Sequence, residues 1–113
     1  MLLTILELED GIKLISLTGR MDIVGTQEID TRLTVATASE LANIIIDLSA
    51  VDFMASIGIG VLVRATNALL QREGKIVFMN PQSNVLHALE STQINKVVPI
   101  VNNLEAARDY LNS

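Results

Sequence analysis

The chain has 113 residues, with eight Lys and Arg against thirteen Asp and Glu, so its formal net charge is −5. This length fits a single domain, residues 1–113, and the acidic balance argues against nucleic-acid binding. The chain has no cysteine and one histidine, which excludes disulfides and thiolate or multi-histidine metal sites. It also has no apolar run near the ~20 residues of a membrane span and no basic leader, which favours a cytoplasmic location.

The beginning of the chain predicts a β-hairpin. Residues 2–8 and 12–18 are strand-like apolar runs, and the Asp10-Gly11 pair between them is typical of a tight turn. Gly19 is expected to end the second strand. We therefore expect two antiparallel strands at the start of the fold.

A helix and a buried strand follow. Residues 26 to about 39 predict a helix, because Ile29, Leu33 and Ala36 recur at helical spacing. Residues 43–48 contain an unbroken isoleucine run, which is typical of a strand buried on both faces in a parallel sheet. We expect one set of residues to be buried in adjacent strands of one sheet: Ile44, Ile45, Ile46 and Val77.

The second half alternates helices and strands. The patterns predict helices at 57–72, 83–91 and 103–111, and strands at 75–79 and 97–101. Pro99 cannot donate to a ladder, so the last strand is expected at a sheet edge. This alternation indicates a small α/β fold with right-handed crossovers and a largely parallel sheet.

The loop after the central strand is the strongest candidate for a functional site, because sites in such folds lie beyond the carboxyl ends of the strands. Ser56 stands where a helix N-cap is expected. Its hydroxyl is either a cap alone or a phosphoacceptor, since a helix N-terminus accommodates a phosphate.

The helix that begins there carries more apolar residues than one sheet face can cover. Only its row through Gly60, Arg64, Asn67 and Gln71 is polar. An exposed apolar patch beside a modifiable serine is typical of a protein-docking site. We expect one partly exposed patch around Ser56, formed by Met21, Asp22, Met54, Ala55, Ile57 and Ile59.

Enzymatic constellations are incomplete. The Gly58-Ile59-Gly60 run lacks the third glycine of a dinucleotide fingerprint, because position 63 is valine. Asp47 has no acidic pair for magnesium, and His87 has no nearby partner acid or nucleophile. We therefore expect no catalytic residue, no cofactor and no metal, although a small ligand-binding or enzymatic α/β domain stays open as an alternative.

Four stretches resemble the bacterial STAS-domain anti-sigma factor antagonists. They are residues 17–22 (LTGRMD), 46–54 (IDLSAVDFM), 56–60 (SIGIG) and the segment from Asn80-Pro81 through Ile100. Together they cover nearly the whole chain in the family's order. The resemblance implies a mostly parallel sheet of four to five strands, with an N-terminal hairpin and with helices mainly on one side.

The resemblance also implies a partner-switching role. An antagonist of this family binds an anti-sigma factor that is also a serine protein kinase, and so frees a sigma factor. The kinase phosphorylates the antagonist at the start of the second helix, and a metal-dependent serine phosphatase reverses the modification. Such a protein is a signalling module and not an enzyme.

The site motif departs from the commonest family pattern, Asp-Ser-Ser-Gly, in which the second serine is phosphorylated. Residues 55–58 read Ala-Ser-Ile-Gly, so Ile57 occupies the usual acceptor position and Ser56 is the expected phosphoacceptor. A constitutive, non-phosphorylated STAS scaffold subunit of a transporter or signalling complex is the alternative. The expected partner-binding residues are Met21, Asp22, Asp52, Met54, Ala55, Ile57, Gly58 and Ile59.

Overall fold

The computed structural model describes residues 1–38 and 43–113. Along these ranges strands and helices alternate after an initial pair of strands, as the sequence predicts. One short 3-10 turn, Ile94–Lys96, precedes the last strand. The elements are β1 (Leu2–Glu7), β2 (Ile12–Met21), α1 (Ile23–Thr37), β3 (Asn43–Met54), α2 (Ser56–Gln71), β4 (Lys75–Met79), α3 (Ser83–Ser91), β5 (Ile100–Val101) and α4 (Leu104–Leu111).

The described strands form one five-stranded sheet in the order β1-β2-β3-β4-β5. β1 pairs with β2 antiparallel, and every other pair is parallel. The hairpin turn places Gly11 at a φ of 76°, a conformation that favours glycine. The predicted mixed sheet with an N-terminal hairpin is confirmed.

The isoleucine run of β3 is buried on both faces of the sheet. Ile44 and Ile46 face the larger core, which α1, α2 and α3 cover. Ile45 and Val77 face the smaller core, which α4 covers through Ala107 and Leu111. The predicted burial of these strand residues is confirmed, as is the placement of the helices mainly on one side.

Two strands run further than the sequence predicts. Gly19 does not end β2, because it adopts a φ of 118° within the strand and register shifts on either side keep β2 paired to β3. β3 likewise continues through residues predicted as a loop, as far as Met54. Since each strand supplies the other's ladder partners, the two extensions form together.

The boundaries of two other elements also differ from expectation. α1 begins at Ile23 instead of Thr26 because Asp22 caps it, and its predicted end at Ser39 lies outside the described residues. β5 is shorter than the predicted strand at 97–101 and has the expected edge position. Pro99 precedes β5 and still accepts a hydrogen bond from the Phe78 N–H at 3.0 Å.

Within the described part of the chain, no helix has the length and apolar character required to cross a membrane.

Candidate functional site

The candidate site lies at the carboxyl edge of the sheet, where β2 leads into α1 and β3 leads into α2. The last residues of the two strands, Met21 and Met54, are paired in register. Beyond them the Ala55 N–H donates to the Met21 carbonyl at 2.9 Å. The β2–β3 pairing therefore holds the starts of the two helices side by side.

The start of α1 is fixed by the side chain of Asp22 and by the close approach of the backbone at Arg20 and Gly25. An Asp22 carboxylate oxygen accepts from the Gly25 N–H at 2.8 Å, as in an N-cap. The other oxygen lies 3.2 Å from the Arg20 Nε. A Cβ at Gly25 would lie 1.9 Å from the Arg20 carbonyl oxygen, so only glycine fits this turn.

Ser56 is not the N-cap of α2, so that prediction is wrong. The cap position is Ala55, because its bond to Met21 completes the strand pairing one residue before Ser56. The Ala55 carbonyl accepts from the N–H groups of Gly58 and Ile59, at 3.0 and 3.2 Å. Ser56 is the first helical residue and is exposed to solvent.

Most of the apolar residues predicted around Ser56 are core residues. Met21, Met54 and Ile59 are buried, so their predicted exposure is wrong. Ile59 belongs to the larger core, and α2 packs tightly on Met21 one residue earlier, at Gly58. A Cβ added at Gly58 would come within 3.1 Å of the Met21 Cβ. These residues shape the site from beneath, whereas Ile57 is exposed as expected.

The exposed apolar surface at this edge includes two residues that the sequence analysis missed. Ile23 and Val24, the first residues of α1, are 62% and 66% exposed. With Ile57 they form what we call the apolar rim. The missed signal was the Asp22 cap, since an aspartate before an apolar pair, followed by Gly25, indicates a helix start.

Polar groups extend the site along β3. Asp52 is exposed, and its backbone carbonyl accepts from the Asn84 side chain at 2.7 Å. The Gln82 side chain donates to the Ser49 carbonyl at 3.0 Å. The Arg20 guanidinium lies 4.0 Å from the centre of the Phe53 ring. The end of β3 is therefore tied to the start of α3 on one side and to β2 on the other.

Comparison with known proteins assigns this architecture to a family, because the STAS domain family matches residues 4–107 of the chain. This chain is a STAS domain. The anti-sigma-B factor antagonist of Listeria monocytogenes is 28% identical to this STAS domain over 88 residues, which are 78% of this chain and 77% of that protein.

Solved structures share the fold of this STAS domain. An anti-sigma-factor antagonist (STAS) domain protein from Planctomyces limnophilus has a TM-score of 0.88 at 20% identity and covers 98% of both chains. The Bacillus protein SpoIIAA in its phosphorylated form has a TM-score of 0.72 at 19% identity, over 96% of this chain and 98% of that one.

At its carboxyl edge this STAS domain has a surface with both polar and apolar groups. Its parts are an exposed hydroxyl on the first turn of a sixteen-residue helix, the apolar rim, and two carboxylates, Asp22 and Asp52. In residues 1–38 and 43–113, no group of three or more His, Cys, Asp or Glu side chains could hold a metal ion.

Proposed function

We propose that this STAS domain is an anti-sigma factor antagonist, which binds an anti-sigma factor and thereby frees a sigma factor in the cytoplasm. The observation that carries the proposal is the exposed Ser56 hydroxyl beside the apolar rim, at the edge where β2 and β3 end. The name of the Listeria relative supports the same role. The protein acts by binding and catalyses no reaction itself.

The proposed docking surface has an exposed part and a supporting part. The exposed part is Asp52, Ser56 and the apolar rim, together with the half-buried Asp22 and Ala55. Burial of the apolar rim supplies about 25 cal/mol for each Å² removed from water. The four supporting residues, Met21, Met54, Gly58 and Ile59, hold this surface in shape without touching the partner.

We further propose that the anti-sigma factor is a serine protein kinase that phosphorylates Ser56. A phosphate adds about −1.5 to −2 charges, which would take the net charge from −5 to about −7. The interface would then have to desolvate that charge, at a cost of several kcal/mol if it stays unpaired. A serine phosphatase would restore the binding form.

Phosphorylation at Ser56 would leave the fold intact. The hydroxyl is exposed and caps nothing, so its modification removes no internal hydrogen bond. The positive end of α2 stabilises an exposed anion by roughly 0.3–1 kcal/mol. Binding is therefore lost through the charge and bulk of the phosphate and not through unfolding.

One feature favours a second candidate, a STAS scaffold that is never phosphorylated. Ile57 occupies the position where the commonest family pattern carries its acceptor serine, and isoleucine cannot accept phosphate. In that case the same surface would bind its partner constitutively, in a transporter or signalling complex.

The test is incubation of the purified chain with ATP and the anti-sigma factor kinase of its own organism, followed by phosphopeptide mass spectrometry and binding measurements. We expect label on Ser56, no label on Ser56→Ala, and weak kinase binding by Ser56→Asp. Ser49→Ala is the matched control, because Ser49 is also exposed near this edge and should not matter.

The other outcomes separate the candidates. Label that persists in Ser56→Ala moves the acceptor elsewhere. Kinase binding without any label supports the scaffold. The absence of both binding and label overturns the proposed function. The free energy of unfolding of Ser56→Ala should lie within about 0.5 kcal/mol of the wild-type value, because the replaced side chain is exposed and caps no helix.

A further inference from the structure

β1 is an edge strand with little protection against pairing with another chain, because Glu7 at its end is its single charged residue. Its outer side has no neighbour among the described strands. Leu2 and Leu6 are 67% and 58% exposed on one face, and Ile5 is exposed on the other. Edge strands are commonly protected by lysine, by proline or by a β-bulge. β1 contains no lysine and no proline, and its register with β2 is unbroken, so it has no bulge.

The register of the hairpin shows which backbone groups of β1 point outward. The Leu8 N–H donates to the Ile12 carbonyl at 2.8 Å, so Leu8 belongs to a hydrogen-bonded pair. Such pairs alternate along an antiparallel ladder, and the even-numbered residues of β1 therefore bond to β2. The N–H and C=O groups of Leu3, Ile5 and Glu7 point to the open edge.

We propose that β1 pairs antiparallel with β1 of a second copy about a two-fold axis at Thr4, and so forms a ten-stranded sheet. In this register Leu3 of one copy faces Ile5 of the other, and both use their outward backbone groups. Leu2 of one copy then faces Leu6 of the other, which covers the exposed leucines in two identical pairs. The strand is thus complementary to itself, as a two-fold interface requires.

The helical side of the same edge supports a second copy. An open groove runs between β1 and α1, where the exposed side chains of Ile5 and Val35 lie. Across the two-fold axis this groove would face its own copy. It contains Glu7, Lys13 and Arg32, so its charges are mixed although the whole chain is acidic. Like-charge repulsion therefore does not oppose the pairing here.

The interface is independent of the proposed function. It lies along the side of the sheet, whereas Ser56 lies at the carboxyl ends of β2 and β3, and the pairing of β1 uses none of the proposed docking residues. A six-residue strand pair with a helical flank buries less area than most stable dimers, and weak complexes have small interfaces of this kind. We therefore expect an equilibrium that depends on protein concentration.

The first test is the molecular mass of the full chain by sedimentation velocity over a range of concentrations. We expect a monomer–dimer equilibrium that Leu6→Lys and Ile5→Pro abolish. Proline at position 5 removes an outward N–H and leaves the β1–β2 ladder bonded. Leu70→Lys is the matched control, because Leu70 is an exposed leucine on α2 and should not change the equilibrium.

The second test fixes the register and does not depend on those variants folding. The native chain has no cysteine. In the proposed dimer Thr4 faces its own copy in a non-hydrogen-bonded pair, with Cα atoms about 4.5 Å apart. Thr4→Cys should therefore form a disulfide-linked dimer on oxidation. Leu2→Cys should not, because its two copies would lie about 14 Å apart, beyond the reach of a disulfide.

The proposal is overturned by a chain that stays monomeric at every concentration, by a dimer that Leu6→Lys leaves unchanged, or by equal crosslinking of the two cysteine variants. Ser56→Asp should keep the dimer. Loss of the kinase interaction and loss of the dimer are therefore distinguishable results.

Discussion

Asp22 combines two roles at the residue scale, because its side chain caps α1 and is also part of the proposed docking surface. Asp22→Ala should lower the free energy of unfolding by about 1 kcal/mol, since the Gly25 N–H loses its acceptor. Asp22→Asn keeps an oxygen in place and should cost less than about 0.5 kcal/mol. Urea unfolding of both variants measures the difference.

The same pair separates capping from docking. If Asp22→Asn is stable but binds the kinase weakly, the charge of Asp22 contributes to the interface. If Asp22→Ala unfolds like the wild type, the hydrogen bond to Gly25 contributes nothing to stability and the capping role is wrong.

Two glycines of the helix starts should respond in opposite directions to alanine. Apart from its chain neighbours and the nearby backbone of α2, no described residue has a heavy atom within 4 Å of a Cβ added at Gly60, whereas one at Gly25 would clash with the Arg20 carbonyl. Gly60→Ala should stabilise the protein by about 0.8–1 kcal/mol through helix propensity. Gly25→Ala should destabilise it by about 1–3 kcal/mol.

Thermal unfolding of the two glycine variants gives the sign of each effect directly. A destabilised Gly60→Ala would mean that a neighbouring group occupies the space beside α2. An unchanged Gly25→Ala would mean that the turn relaxes without cost.

At the scale of elements, α4 is tied to the hairpin turn through Asp10. The Arg108 Nε donates to the Asp10 carboxylate at 3.1 Å, and the Asn112 side chain donates at 3.3 Å. The hydrogen bond from Arg108 is the main cause that lowers the pKa of Asp10 below its ordinary value of 3.8. The turn and the C-terminal helix therefore stabilise each other most when Asp10 is ionised.

This contact predicts a pH dependence of stability. Folding lowers the pKa of Asp10. The stabilisation is therefore complete at pH values above the ordinary pKa of 3.8, and it is lost as the pH falls through the lower pKa of the folded state. The difference in unfolding free energy between the wild type and Asp10→Asn should shrink as the pH falls below 3.8. Arg108→Gln should show the same trend, and a difference that grows in acid would contradict it.

Element boundaries at the site depend on pairing between distant segments. The sequence pattern predicts the existence and type of each described strand and α-helix, because spacing and turn residues are local signals, but it does not predict the short 3-10 turn Ile94–Lys96. It ends β2 at Gly19 and β3 near Leu48, since glycine and mixed polarity are locally typical of loops. In the folded chain the strand ends supply each other's hydrogen bonds, and this shifts the N-cap of α2 to Ala55.

At the scale of the whole molecule, the two faces of the sheet and two of its edges have separate roles. Three helices cover one face, and α4 covers part of the other. The carboxyl edge carries the proposed docking surface, and the free side of β1 carries the proposed dimer contact. One small fold can therefore present two surfaces that are built from different residues.

The amino-acid sequence by itself determined the α/β class, the hairpin, the strand buried on both faces and the loop that holds Ser56. Each of these depends on residue spacing or on a short motif. Only the tertiary structure decided which apolar residues of that loop are accessible. Met21, Met54 and Ile59 are as apolar as Ile23, Val24 and Ile57. The packing of α2 on β2 buries the first three, and it depends on contacts between segments far apart in the chain. The cap that exposes Ile23 and Val24 at the start of α1 is local, since Asp22 accepts from the Gly25 N–H.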